Sequence, residues 1–369
     1  MSAKVLLRTL LPPKWRRKLR EQLISMKISH HYGPKTIQLA SNEAMVTCVV
    51  RNGEFYIEEF IEHYSRMGFR HIAFLDNGSS DQTISIATKH KNVSVYQSTL
   101  PIDAHQAYFK RYLAKNSANG GWRLDADIDE FFDYPFSDAL GLRDFLDYLN
   151  KSQCTAVITQ LLDMFSDKPL SCLAKTQRED LRGTYPYYDI SEVTKTEYQT
   201  SEIVAKYAAA NQLLNKAATL CWGGIRKTLW GNNCLLTKHS LFFPGRGLDL
   251  YPHIHFINNA RVADVSGVMR HYKITSDALA TALQNQERFV TNSKAYGRFI
   301  EFLANDSARG IKEKTAIKFR SVSDLRESGF VFTSTEYSEY VEAIVRGKAP
   351  CPESDARGFA MRAESPSAC

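Results

Sequence analysis

Trp122-Arg123-Leu124-Asp125-Ala126-Asp127-Ile128-Asp129-Glu130-Phe131-Phe132 is a short hydrophobic run that ends in four carboxylates within six residues. Like charges this close repel, and a chain tolerates them chiefly where a cation or strong donors compensate. Alternate residues of a strand share a face, so a backbone that stays extended turns Asp125, Asp127 and Asp129 toward one point. Hard divalent ions take carboxylate oxygens together with substrate phosphates. By neutralising a leaving diphosphate such an ion lowers the barrier to group transfer. A solvated acidic turn with a helix-capping Asp has the same residue types, so the place of the run in the chain decides between the two readings.

Upstream, two periods alternate. Met45-Val46-Thr47-Cys48-Val49-Val50 is β-rich, and over residues 53–67 Ile57, Phe60, Ile61, Tyr64 and Met67 recur at helical spacing before Gly68. Then come a buried strand at 71–76, the turn Asn77-Gly78-Ser79-Ser80, a helix at 81–90, a strand at 93–97 and a helix at 104–118. The acidic run thus ends the fourth strand, expected to span 122–127. Strands separated by helices predict an α/β fold, Rossmann-like, with a mostly parallel sheet flanked by helices and ligands at the strand C-terminal ends. A helix near 139–150 and a strand near 155–162 continue the pattern.

Residues 166–270 are less regular. Ser276 is placed to cap one long helix through Leu303, and another helix is expected over 336–346 before Gly347. The expected organisation is a basic amphipathic arm at 1–40, a catalytic domain at 41–275, a helical extension at 276–347 and a flexible tail at 348–369.

Charge is unevenly placed. Residues 1–40 hold nine Lys/Arg and only Glu21, so the net +7 of the chain sits in this arm and the rest is close to neutral. That disfavours a nucleic-acid-binding body. Leu6, Leu7, Leu10, Leu11, Trp15, Leu19, Leu23 and Ile24 interleave with the cations. The arm therefore either lies on an anionic membrane surface or packs on its own domain. No apolar run reaches the roughly 18 residues of a spanning helix, and Pro and charge interrupt the first twenty positions, so a cytoplasmic location is expected. The seven cysteines are scattered without metal-finger spacing and read as reduced thiols.

An ordered chain of motifs resembles the glycosyltransferase family 2-like group: Val49-Val50-Arg51-Asn52-Gly53-Glu54, Phe74-Leu75-Asp76-Asn77-Gly78-Ser79-Ser80-Asp81, Asp127-Ile128-Asp129-Glu130-Phe131 with Tyr134-Pro135, Leu161-Leu162-Asp163-Met164-Phe165, Gly223-Gly224-Ile225-Arg226-Lys227, Leu236-Thr237-Lys238 and His271-Tyr272-Lys273. Gly53 and Ile128 are insertions relative to that pattern. The resemblance covers about residues 44–275 and implies a GT-A fold. It also implies metal-dependent transfer of a sugar from a nucleotide diphosphate donor, most often UDP-linked. The acceptor would be a glycan or lipid-linked hydroxyl in surface-polysaccharide or lipopolysaccharide synthesis, with Mg²⁺ or Mn²⁺ as cofactor.

On that reading Asp127 and Asp129 hold the metal and diphosphate, and Asp125 faces the ribose or backs the site. His271 completes the metal shell. Asp76 contacts the base, and Arg51 and Asn52 contact nucleotide or diphosphate unless they pair locally. Arg226 and Lys273 neutralise phosphate or are plain surface charges. An inverting transfer needs a base for the acceptor hydroxyl. Asp163 is the first candidate, and the second is the cluster Asp249, His253 and His255, represented by His253. A retaining mechanism stays open. Rival readings are a nucleotidyltransferase, which wants a Gly- and Lys/Arg-rich loop after the first strand, and a non-catalytic carbohydrate-binding protein.

Overall fold

The computed structural model describes residues 12–173, 180–245, 247–289, 293–306, 311 and 314–348. The strands that position the site are β1 (Ser29–Tyr32), β2 (Ala44–Val50), β3 (His71–Asp76), β4 (Val93–Gln97), β5 (Trp122–Asp125), β6 (Glu130–Asp133), β7 (Ala156–Asp163), β8 (Thr237–Phe242) and β9 (Gly267–His271). Their order in the central sheet is β1-β4-β3-β2-β5-β8-β7, with β9 beside β7 and β6 beside β9. β4, β3, β2 and β5 run parallel. β8 is antiparallel to both β5 and β7, so β7 keeps the direction of β5. The chain is therefore α/β with a largely parallel sheet. β3 and β7 are buried along their whole length, as the continuous apolar runs demand of strands covered on both faces.

The flanking helices are α1 (Pro13–Ser25), α2 (Glu54–Arg66), α3 (Ile102–Asn116), α4 (Leu142–Lys151), α5 (Ile225–Trp230), α6 (Ala278–Arg288), α7 (Ser293–Asp306) and α8 (Thr335–Lys348). Phe109 and Leu113 of α3 pack with Met45, Ala73, Leu75 and Tyr96 on one face of the sheet. Phe60 and Tyr64 of α2 and Phe145 and Leu146 of α4 pack with Val46, Cys48 and Phe74 on the other. Tyr64 also braces the segment after the acidic run: its hydroxyl donates to Glu130 O at 2.8 Å and accepts from Phe132 N–H at 3.0 Å.

Chain order runs outward from β2 through β3 to β4 and then returns to place β5 on the other side of β2. The strand order therefore reverses between β2 and β5, and a crevice opens there beyond the strand ends. The acidic run leaves the sheet at this point.

Several expectations are corrected. The acidic run does not stay extended: β5 stops at Asp125, residues 128–129 turn, and β6 begins at Glu130. The helix expected at 81–90 is only Thr83–Ala87, because Asp81 is drawn back to cap neighbouring turns, accepting from the N–H groups of Glu54 and Thr83. The long helix from Ser276 is two, since α6 ends where Phe289 leaves helical geometry (φ −112°, ψ 75°). Its N-cap position is Asp277, while Ser276 gives its N–H to the Tyr185 hydroxyl.

The basic arm is not separate over its full length, because β1 pairs with β4 and joins the sheet. α1 packs through Ile24, and its Glu21 pairs with Arg111 at 3.0 Å and Lys115 at 3.4 Å. Trp15, Leu19, Leu23 and Met26 stay exposed. Residues 1–11 of the arm and 349–369 of the tail lie outside the described residues. Among the described residues no helix is long and apolar enough to cross a membrane.

Candidate functional site

Two linked ion clusters occupy the crevice. In the first, Lys110 of α3 reaches across to the end of β5, its Nζ donating to Asp125 Oδ2 at 2.7 Å and Asp127 Oδ1 at 3.1 Å. Lys238 of β8 approaches from the other side, donating to Asp127 Oδ2 at 3.0 Å and to Glu130. Glu130 Oε2 accepts the Asp127 N–H at 3.0 Å and closes the turn. Burial raises the Asp127 carboxyl, but Lys110 and Lys238 outweigh it and hold the group well below the usual carboxylate range. Asp125 and Glu130 are instead pushed up, chiefly by burial.

The second cluster centres on His271, at the end of β9. Its Nε2 lies 3.2 Å from Asp129 Oδ2 and its Nδ1 2.6 Å from Asp163 Oδ1. Arg226 of α5 grips Asp163 with two donors, Nε to Oδ2 at 2.6 Å and Nη2 to Oδ1 at 2.7 Å. Burial opposes a charge on His271, yet Asp129 prevails and the pKa is raised. An imidazolium then donates from Nδ1 to Asp163 and from Nε2 to Asp129. The Arg226 Nη2, also 2.6 Å from His271 Nδ1, can only donate, so we take it as bonded to Asp163 and merely close to the ring.

Can these residues hold a divalent cation? Among the described residues no ready-made group of three or more His, Cys, Asp or Glu ligands converges. The chemistry of the donor set nevertheless fits. Adjacent ligands on an octahedral ion at about 2.1 Å stand about 3.0 Å apart, and Asp129 Oδ2 and His271 Nε2 are 3.2 Å apart. Once neutral, His271 keeps Nδ1–H on Asp163 and offers Nε2, the carboxylate–histidine arrangement that orients metal ligands. Five carboxylates (Asp125, Asp127, Asp129, Glu130 and Asp163) then face three buried cations, Lys110, Lys238 and Arg226. Even with Lys273 acting on Asp129 from the same cavity, the carboxylates outnumber the cations, and a divalent ion would offset the excess.

The remaining expected residues sort as follows. Asp163 has one oxygen on Arg226 and the other shared by Arg226 and His271. Although burial raises its pKa, these partners hold it well below the usual range. That makes it an orienting group and a poor proton acceptor. Arg226 is spent on Asp163 and is no open phosphate site. Asn52 is a structural tie: its Oδ1 accepts Ser80 N–H at 2.9 Å and its Nδ2 donates to Gln284 at 2.8 Å. Asp76 folds the following turn, accepting Ser79 N–H at 3.0 Å and Gly78 N–H at 3.3 Å.

Asp249 pairs with Arg17 at 2.8 Å on the surface. His253, His255, Lys273, Asp127 and His271 line one cavity of about 420 Å³. Burial lowers the pKa of both histidines, so each is a neutral base at pH 7. The Lys273 ammonium lies over the rings of Tyr296 and Phe299. Arg51, Asn77 and Gly78 line a second cavity, of about 640 Å³, at the ends of β2, β3 and β4.

No protein-family model matches the chain, and no curated protein matches it significantly.

Gly53 and Ile128, the two residues that interrupt the sequence motifs, meet here. A Cβ on Gly53 would stand 2.8 Å from Val50 Cγ2 and 3.0 Å from Ile128 Cγ1, so the space a side chain would fill is taken by Val50 and Ile128 together. Lys110 and Arg288 do not figure among the sequence motifs, and Glu130 and Lys238 figure only as motif members without an assigned role. The available signals were a cation flanked by Phe109 and Leu113 on the apolar face of a helix, and one inside a strand with Leu236 and Leu241.

Proposed function

We propose that the chain is a metal-dependent glycosyltransferase of GT-A type, with Asp129 and His271 as metal ligands and Asp127 beside them. The donor is a nucleotide diphosphate sugar, UDP-linked, and the acceptor a glycan or lipid-linked hydroxyl in surface-polysaccharide or lipopolysaccharide synthesis. The observation that carries this reading is the Asp129–His271–Asp163 chain at the C-terminal ends of β7 and β9, with His271 lining the 420 Å³ cavity and the 640 Å³ cavity lying at the ends of β2, β3 and β4. The 640 Å³ cavity suits the nucleotide, and the 420 Å³ cavity the sugar and its acceptor.

A bound Mg²⁺ or Mn²⁺ supplies charge neutralisation for the departing diphosphate. Lys273 adds a cation at the same cavity. His253 and His255, neutral and facing Asp127 across that cavity, are better placed than Asp163 to take the acceptor proton. The exposed row Trp15, Leu19, Leu23 and Met26, beside Arg16, Arg20 and Lys27, suits an anionic lipid face. The protein then works peripherally on the cytoplasmic side.

The test is nucleoside diphosphate release from a panel of nucleotide sugars, with Mn²⁺ and with chelator, for the wild type and Asp129→Asn. Metal-dependent release that Asp129→Asn loses supports the reading. No turnover with any donor, or turnover unaffected by chelator, removes it and leaves a binding protein or another chemistry.

A further inference from the structure

Two arginines from distant parts of the chain meet in the 640 Å³ cavity. Arg51 directly follows β2, and Arg288 is the last residue of α6. Arg288 Nη2 donates to Asn77 Oδ1 at 3.1 Å, in the turn after β3. Its Nε is buried and has no hydrogen-bond partner. Burial and the charge of Arg51 together press its pKa down to about 10. Like charges brought together around a cavity, with a buried donor unused, make a site suited to an anion.

The cavity is not uniformly basic, for Asp103 and Glu287 also line it. Carboxylates repel free phosphate but accept from ribose hydroxyls, so the mixed wall favours a nucleoside phosphate over inorganic phosphate. Position narrows the choice further. Phe289, the next residue, lines the 420 Å³ cavity, so the end of α6 stands between the two. A diphosphate linking a nucleotide in one cavity to a sugar in the other passes that point.

We propose that Arg288 is a phosphate ligand of the nucleoside diphosphate, so that the C-terminal helical extension completes the donor site. This rests on the proposed function. Charge-assisted hydrogen bonds and a bidentate fork suit a guanidinium to this role.

The experiment is calorimetric titration of the full chain, with Mn²⁺, by UDP, GDP, ADP and CDP and by the matching nucleosides. The variants are Arg288→Gln, which keeps a donor for Asn77 but loses the charge, and Arg288→Lys. Expected is a loss on the order of 10–100-fold in diphosphate affinity for Arg288→Gln, partial recovery for Arg288→Lys, and unchanged nucleoside affinity. A merely structural arginine would weaken diphosphate and nucleoside alike, and that result overturns the proposal. So does diphosphate binding by Arg288→Gln equal to the wild type, with the function left standing. If the wild type binds none of the four diphosphates, the function falls and this inference with it.

Discussion

Replacing Lys110 with methionine keeps the aliphatic stem in place and removes a single buried charge. The ammonium is 2.7 Å from Asp125 and 3.1 Å from Asp127, and the Lys110 side chain is 2% exposed. At an effective dielectric of about 20 the two attractions amount to roughly 6 and 5 kcal/mol before desolvation. Returning the ammonium to water recovers several kcal/mol, but Asp125 stays buried without its partner. Breaking such a pair from one side costs about 3–5 kcal/mol.

The measurement is urea unfolding at pH 7, read as a shift in midpoint at constant slope. Lys110→Met with Asp125→Asn removes both charges and should recover most of the loss. The pH dependence has a definite sign. A carboxyl whose folded pKa lies above its unfolded value destabilises the fold at high pH and stops doing so as it protonates. The deficit of Lys110→Met should therefore shrink from pH 8 to pH 5. A single mutant within 1 kcal/mol of wild type, or a double mutant no better than the single, refutes the reasoning.

Asp163→Asn should weaken Mn²⁺ binding on the order of 10–100-fold, since it loosens His271 without removing a ligand; unchanged affinity in calorimetry would show that His271 needs no such support. His239 is buried, its Nδ1 accepting Ile257 N–H, and burial lowers its pKa to about 3. Only the unfolded state then takes up this proton below about pH 6.5, so stability falls by up to about 1.4 kcal/mol per pH unit toward pH 3. His239→Gln should flatten the acid limb of the stability curve, and an identical limb counts against it. Trp15→Glu with Leu19→Glu should abolish co-sedimentation with vesicles of anionic lipid, while wild-type binding should weaken with salt and be absent on neutral lipid. Equal sedimentation of mutant and wild type would assign the exposed row some other partner.

The parallel half of the fold was legible because strands covered on both faces are mostly apolar, and 44–50, 71–76, 93–97 and 156–163 are, with only a few polar residues in each. The antiparallel β8 was hidden by its own function: Lys238, His239 and Ser240 are buried polar residues that break the apolar run. The turn after Asp125 was hidden by Ile128, an apolar residue where turn chemistry usually shows Gly or Asn. The carboxylates were visible as a group, but which of them is free depends on partners far away in sequence. Asp163 looks like a base until Arg226 and His271 arrive, and Asp127 looks uncompensated until two lysines do. Neither periodicity nor motif spacing encodes those approaches.

The contact between Gly53 and Ile128 joins the first strand–helix turn to the acidic turn like two teeth of a gear. One turn follows Arg51 at the 640 Å³ cavity, and the other carries Asp127 at the 420 Å³ cavity. A side chain grown at position 53 finds no room unless its neighbours give way, because Val50 Cγ2 and Ile128 Cγ1 stand 2.8 and 3.0 Å from where its Cβ would be. Among sequences descended from a common ancestor, positions 53 and 128 should accordingly change size in step, one growing only where the other shrinks.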